Sequence, residues 1–345
     1  MQPSTEVRIQ PASAPSVQII SVDYGGLAQD SRLVADIAAS CGWKVRTTWR
    51  APFSLPRRVI QRAGIHKVLC RRFELNIFMQ QPEKWWLPQA RRSVVIPNAD
   101  WFTDYGMKLS PEIHQMWCKT REAVDIFRGL GVQSIYLGFT STDPTELVDA
   151  TPEKNWREAL HVAGSSPLKG TSLVIDAWAR NPEWPVLNLV TSIQSHVVRA
   201  ACAANIRLWA SRLPAHELAL LQLRCGVHVQ PSEVEGYGHV LGESLAAGAA
   251  VVSVDAAPMN ELVQDSRGYL VRCRPTTMHY LARRYEIVPE HFDQTLNAIW
   301  DTAIERLQDK GRSAREWYLA NRTTFRHRLR ELLTASAADT RSGLG

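Results

Sequence analysis

Short apolar runs rich in Val and Ile alternate with segments of helical periodicity along this chain, and the alternation starts afresh past residue 154. Residues 17–22 predict a buried strand, the Asp23-Tyr24-Gly25-Gly26 stretch a turn, 31–39 a helix and 44–48 the next strand. Further strands are expected at 93–96, 115–119 and 134–137, with a helix at 121–130. Residues 140–154 are polar, carry Pro144 and Pro152, and read as a linker. Strands then fall at 160–163, 186–190, 206–209, 227–230 and 250–254, interleaved with helices at 171–179, 215–223 and 240–247. Two helical stretches, 292–308 and 312–333, close the chain. Such alternation yields parallel sheets with helices on both faces. The expected fold class is α/β: two doubly wound, Rossmann-like domains facing across a cleft. The expected divisions are a loose Pro/Ser/Ala-rich tail at 1–15, an N-terminal domain at 16–145, a C-terminal domain at 155–310, and a helix at 311–335 returning to the first domain.

A length of 345 residues fits two domains of ~100–200 residues each. The six cysteines are scattered without a C-x-x-C pair, which argues against zinc and against a disulfide framework. The first residues lack the apolar core of a signal peptide, and the longest apolar stretch, 244–254, is too short to span a bilayer. A cytoplasmic protein is the expectation, soluble or peripheral to a membrane or DNA. There is no G-x-G-x-x-G after the first strand, no correctly ordered P-loop at 164–171, and no G-x-S-x-G elbow. No Asp-x-Asp occurs, so paired aspartates holding a metal–diphosphate are disfavoured. A diphosphate would then be met by Lys, Arg and helix N-termini, with no metal and no other cofactor.

The net charge is +6, and its distribution is uneven. Residues 37–73 contain no Asp or Glu but hold Lys44, Arg46, Arg50, Arg57, Arg58, Arg62, Lys67, Arg71 and Arg72. Trp43, Trp49 and Phe53 are interleaved. Such a run points to a polyanionic partner.

The second half contains the parts of an anion site. Pro231-Ser232-Glu233-Val234-Glu235-Gly236-Tyr237-Gly238-His239 follows a strand and opens a helix near Val240. Gly236 and Gly238 allow close backbone approach, and the free N–H groups of the helix face whatever occupies the loop. Glu243 lies one turn into that helix, eight residues after Glu235, where a carboxylate can accept two hydrogen bonds from a vicinal diol such as ribose. Lys169 begins another helix after a strand.

Residues 164–261 resemble the C-terminal domain of the retaining, nucleotide-sugar-dependent group 1 glycosyltransferases of the GT-B fold. Lys169-Gly170, Pro231-Ser232, and Glu235-Gly236-Tyr237-Gly238 with Glu243 carry the likeness, as does the helix–Gly248–strand continuation. The resemblance implies hexose transfer from a UDP- or GDP-sugar, UDP-glucose for example, to an acceptor hydroxyl with retention. It implies that Lys169 neutralises the leaving diphosphate, that Glu243 binds the ribose, and that Glu235, Ser232 and the 236–240 backbone (Gly236, Tyr237, Gly238, His239, Val240) hold sugar and phosphate. Gly25 and Gly26 stand where such enzymes have a glycine-rich turn near the donor phosphates. Ser165 replaces the arginine that commonly accompanies the lysine, and Arg199 or Arg207 is expected to compensate.

The acceptor is expected on the N-terminal half. Asn98, Asp100 and Trp101 follow the end of a strand, where α/β clefts lie, and Asp100 is a candidate general base, with His66 and His114 as rivals. Pro258-Met259-Asn260-Glu261 occupies the matching strand end in the other domain. Arg57, Arg58, Arg71 and Arg72 are the candidate contacts to a polyanionic acceptor. Hydroxymethylated pyrimidine in DNA is slightly favoured over a lipid-linked or lipopolysaccharide acceptor at a membrane surface. A basic nucleic-acid-binding protein with a degenerate transferase site, and a sugar epimerase of the same fold, are the alternatives of other classes.

Overall fold

The computed structural model describes residues 14–23, 25–49 and 72–342. Arg50, Phe53, Arg57, Arg58, Arg62, His66, Lys67 and Arg71, and most of the expected N-terminal tail, lie outside the described residues.

The first sheet is built from β1 (Ser16–Ser21), β2 (Lys44–Trp49), β3 (Phe73–Gln80), β4 (Ala90–Pro97), β5 (Gln115–Cys118) and β6 (Ser134–Tyr136). All pair in parallel, in the order β2-β1-β3-β4-β5-β6. β3 is an addition to the sequence reading, which assigned no strand between 48 and 93. Its Leu75, Ile77, Phe78 and Met79 are buried, and its Asn76 amide nitrogen donates to the Trp86 carbonyl at 2.8 Å. A run buried on both faces lacks the polar alternation that marks a half-exposed strand. Around this sheet lie α1 (Gly25–Ser40), α2 (Asp104–Lys108) and α3 (Arg121–Gly129). α1 starts at Gly25, well before the expected residue 31, so the Gly25-Gly26 pair is the helix N-terminus and not a separate turn.

The second sheet contains β7 (Asn155–Gly164), β8 (Leu187–Thr191), β9 (Ile206–Trp209), β10 (Cys225–Val229), β11 (Ala250–Val254) and β12 (Gly268–Val271). Their order, β12-β11-β10-β7-β8-β9, is again parallel throughout. Its helices are α4 (Thr171–Arg180), α5 (Gln194–Ala200), α6 (Ala215–Arg224), α7 (His239–Ala246) and the short α8 (Met259–Leu262). An antiparallel hairpin of β13 (Cys273–His279) and β14 (Ala282–Ile287) follows, then α9 (Pro289–Asp301) and α10 (Ile304–Ser342).

The C-terminal helices divide differently from the sequence reading. One helix runs unbroken through 309–311, and the break falls at Thr302. Gly311 is a contact glycine: a Cβ there would collide with the Gly248 carbonyl and stand 2.6 Å from the Trp156 ring. The break is held by Arg157, whose guanidinium donates to the carbonyls of Trp300 at 2.5 Å and Thr302 at 2.8 Å at the end of α9. α10 buries Ala314, Tyr318, Phe325, Leu329 and Leu333, a stripe of helical spacing. Its Asn321 amide donates to the Phe139 carbonyl and its Tyr318 hydroxyl to the Ser141 carbonyl, both at 2.8 Å, while Arg315 clasps Asp143. The last helix thus fastens to the segment joining the two sheets. Among the described residues, no helix is long and apolar enough to cross a membrane.

Candidate active site

The strand ends of the two sheets face each other, and several links hold them together. Glu261 on α8 accepts the backbone N–H groups of Arg121 (2.8 Å) and Glu122 (2.9 Å), capping α3 of the opposite domain. The β13–β14 turn reaches back, with Leu281 N–H donating to the Ala99 carbonyl at 3.1 Å. The third link is electrostatic. Asp30, buried in α1, lies 2.5 Å from the buried Lys119 ammonium and 3.0 Å from His239 Nε2 of the other domain. Burial alone would raise the Asp30 carboxyl; Lys119 and His239 outweigh it and bring it down to about 2.

Between the domains lies a cavity of about 950 Å³. Gly25 and Gly26 at the start of α1 form one wall, and Lys169, Ser165 and Val240 the other. Gly26 packs on the His239 ring, so the first turns of α1 and α7 converge on one space. That is a site for an anion, because both helix ends present unpaired N–H groups. Glu243 lines the same cavity; Gln222 donates to its Oε2 at 3.0 Å, and burial pushes its carboxyl up.

The turns carrying Lys169 and Ser232 are in contact. Gly170 adopts φ 68°, and a Cβ there would strike the Pro231 carbonyl, so this approach requires glycine. Ser232 is fully buried with no partner for its Oγ among the described residues. His161 bridges the Val229 carbonyl (2.6 Å) and Thr171 Oγ1 (2.9 Å), fixing the start of α4 beside Lys169. Lys169 forms an ion pair with Glu235.

Opposite Gly236 stand Asn98 and Asp100, on the turn after β4. A Cβ on Gly236 would collide with Asp100 Oδ1 and stand 2.8 Å from Asn98 Cβ. Asp100 is buried, its Oδ1 lacks a partner, and burial, reinforced by the Glu235 charge, pushes its carboxyl up to about 7. Glu122 behaves alike, raised to about 7 by burial, Glu261 and Asp100. This mouth of the cleft is therefore acidic, and Asp100 is poised to exchange a proton near neutrality.

Several sequence expectations need revision. Tyr237 does not face the cavity; it is buried against Phe139 and donates to the Phe139 carbonyl at 2.8 Å, wedging the domains. Arg199 pairs with Asp176, and Arg207 with Glu158 away from the cleft, so neither replaces the cation missing at Ser165. Arg212, in the loop after β9, does line the cavity. His114 accepts the Ser93 N–H at 3.2 Å just before β5 begins, at the end of the sheet opposite the cleft, and is no rival base. Trp43 is core, while Arg72 is exposed at the start of β3. Asp30, Lys119, Gln222 and Arg212 were not anticipated. Asp30 carries a usable signal: it shares the buried face of α1 with Val34, Ile37 and Ala38, and an aspartate there demands a partner.

Two Rossmann-like domains closing on a nucleotide-sized cleft define a GT-B architecture. Residues 149–286 match the family model Glycosyl transferases group 1. No curated protein matches the chain in sequence. Among solved structures, sucrose-phosphate synthase from Thermosynechococcus elongatus is 15% identical, with 94% of this chain and 100% of that chain covered and a TM-score of 0.71. HepE from Anabaena, in complex with UDP and glucose, is 14% identical over 93% and 100%, with a TM-score of 0.67. WaaG, a glycosyltransferase involved in lipopolysaccharide biosynthesis, is 15% identical over 92% and 99%, with a TM-score of 0.65. At such identities the likeness is one of fold.

Proposed function

We propose that the protein transfers a hexosyl group, with retention and without a metal, from a UDP-sugar to an acceptor hydroxyl. The observation that carries this reading is the convergence of Lys169, Glu243 and the α1 and α7 N-termini on one cavity. Lys169 and the two helix ends meet the diphosphate, and Glu243 takes the ribose hydroxyls. HepE, crystallised with UDP and glucose, favours uridine and glucose over the other donors. Asp100 faces the sugar position beside Glu235 and accepts the proton of the incoming hydroxyl. Retention rests on the resemblance to group 1 transferases.

The acid-free run at 37–73 supports an anionic carrier for the acceptor. DNA bearing a hydroxymethylated pyrimidine and a lipid-linked glycan both answer to that charge, and a DNA acceptor would show affinity falling steeply with salt. The transferase reading is tested by turnover of UDP-glucose without acceptor, followed as release of UDP. Wild type should release UDP, and Lys169→Ala should lose ~10²–10³-fold, the cost of removing one group aimed at developing charge. Equal turnover in Lys169→Ala would remove Lys169 from the chemistry.

A further inference from the structure

The described residues include only two non-glycine residues at positive φ, Gln80 at 87° and Tyr280 at 53°. They belong to different domains, yet both bear on Trp101. Gln80, at the C-terminal end of β3, donates from its amide to the Trp101 carbonyl at 3.1 Å. Tyr280, at the tip of the β13–β14 hairpin, packs its ring 5.5 Å from that of Trp101 at a 37° tilt. His279 completes the group, edge-on to Trp101 at 5.4 Å and to Tyr280 at 5.1 Å. Strained backbone persists where surrounding structure holds it, and such positions cluster at ligand clamps. Here two of them hold one aromatic group in place.

Despite these contacts the group is not buried. Trp101 is 49% exposed and Tyr280 47%. A core cluster would be covered; this one stays open at the mouth of the cleft, next in sequence to Asp100. The Leu281–Ala99 backbone hydrogen bond fixes the hairpin tip against that turn, so the platform exists only while the domains are closed.

We infer that Trp101, Tyr280 and His279 form a stacking platform for a pyranose ring of the acceptor, which makes the acceptor a saccharide whose hydroxyl is presented to Asp100. The inference rests on the transferase reading for the direction of presentation, not for the platform. A pyranose has one apolar face whose C–H groups carry partial positive charge, and these settle on the negative face of an aromatic ring. Its hydroxyls need acceptors, and two carboxylates flank Trp101 in the chain, the buried Asp100 and the exposed Asp104. A nucleic acid would also stack, but its phosphates would meet the acidic mouth of Asp100, Glu122 and Glu261. On the hairpin, Arg284 is paired with Glu233, and the exposed Arg274 and Arg283 lie on the strands and not at the tip.

The test is saturation-transfer NMR on the full-length protein with methyl α- and β-glucopyranoside, methyl α-mannopyranoside and methyl β-galactopyranoside. At least one glycoside should receive saturation on its ring C–H protons in wild type. The signal should fall at least tenfold in Trp101→Ala, fall less in Tyr280→Ala, and survive in Trp101→Phe, which keeps a ring. Melting temperature and UDP binding check that each variant is folded; if Trp101→Ala is not, the Trp101→Phe and Tyr280→Ala pair carries the test. No contact with any of the four glycosides, or contact indifferent to Trp101 and Tyr280, overturns the proposal. Trp101-dependent binding of duplex DNA at low salt overturns it in favour of nucleobases. Wild type that contacts a glycoside but never releases UDP from UDP-glucose would sink the transferase reading and leave the platform standing.

Discussion

Two buried aspartates of the first domain, Asp30 and Asp100, face the second domain across the same cleft, and their chemistry diverges. Both lose their water, which by itself raises a carboxyl. Asp30 is compensated by Lys119 at 2.5 Å and His239 at 3.0 Å, falls to about 2, and is a fixed charge tying the donor loop to α1. Asp100 meets Glu235 instead, while Lys169 is drawn to Glu235, and its carboxyl rises to about 7. Burial alone therefore does not set the proton affinity of an aspartate; the charge of the groups packed against it decides the direction, a cation for Asp30 and an anion for Asp100.

Removing Asp100 should have the largest effect. UDP-glucose-dependent transfer in wild type should climb with pH through about 7, as Asp100 loses its proton. Asp100→Asn should lose that limb and ~10²–10⁴-fold in rate, the range of general-base catalysis. Stability should move the other way. A raised carboxyl contributes stability below its unfolded value of 3.8 and loses it as pH rises through about 7, so Asp100→Asn should gain on wild type as pH rises from about 4 to about 7. A pH–rate profile unchanged by the substitution would remove Asp100 from the chemistry. Glu122→Gln is the control, since Glu122 also titrates near 7.

Next comes Asp30. Asp30→Ala strands the buried Lys119 ammonium and should cost ~3–5 kcal/mol of unfolding free energy at pH 7. The contribution of a lowered carboxyl is present above 3.8 and disappears as pH falls through about 2, so denaturant titrations of wild type and variant should converge in strong acid. A difference that persists undiminished at pH 2 would contradict the ion-pair account.

A smaller effect is expected at Gly236, where the two domains nearly touch. Gly236→Ala places a methyl against Asp100 and Asn98 and must push the turns apart. Displacement of that order costs about 10²-fold in kcat/KM when reacting groups lose alignment. UDP binding should be spared, because Gly236 is not among the residues lining the donor cavity.

The sequence declared some of this and hid the rest, for identifiable reasons. The elements that line the cavity in the second domain were legible because they are close in the chain and each has a local cause: a strand, a glycine turn, a helix N-terminus and a carboxylate one turn in. Asp100 was legible as a residue beyond a strand end, but its proton affinity was not, since that depends on burial by the opposing turn and then on Glu235, 135 residues away. Asp30–Lys119, Glu261 on the α3 N-terminus and the hairpin over Trp101 are contacts between distant segments, and no periodicity encodes a partner. Strand β3 escaped because burial on both faces erases alternation. The expected break in the last helix failed because Gly311 serves close packing against Gly248 and not a turn.

The central claim is that the cavity between the domains holds a uridine diphosphate with its ribose on Glu243. The direct measurement is calorimetric titration of UDP into wild type and Glu243→Ala. The account predicts a single site in wild type whose affinity drops by ~10- to 100-fold in the variant, the worth of hydrogen bonds to a charged group. UDP bound equally well by both proteins, or by neither, would contradict it.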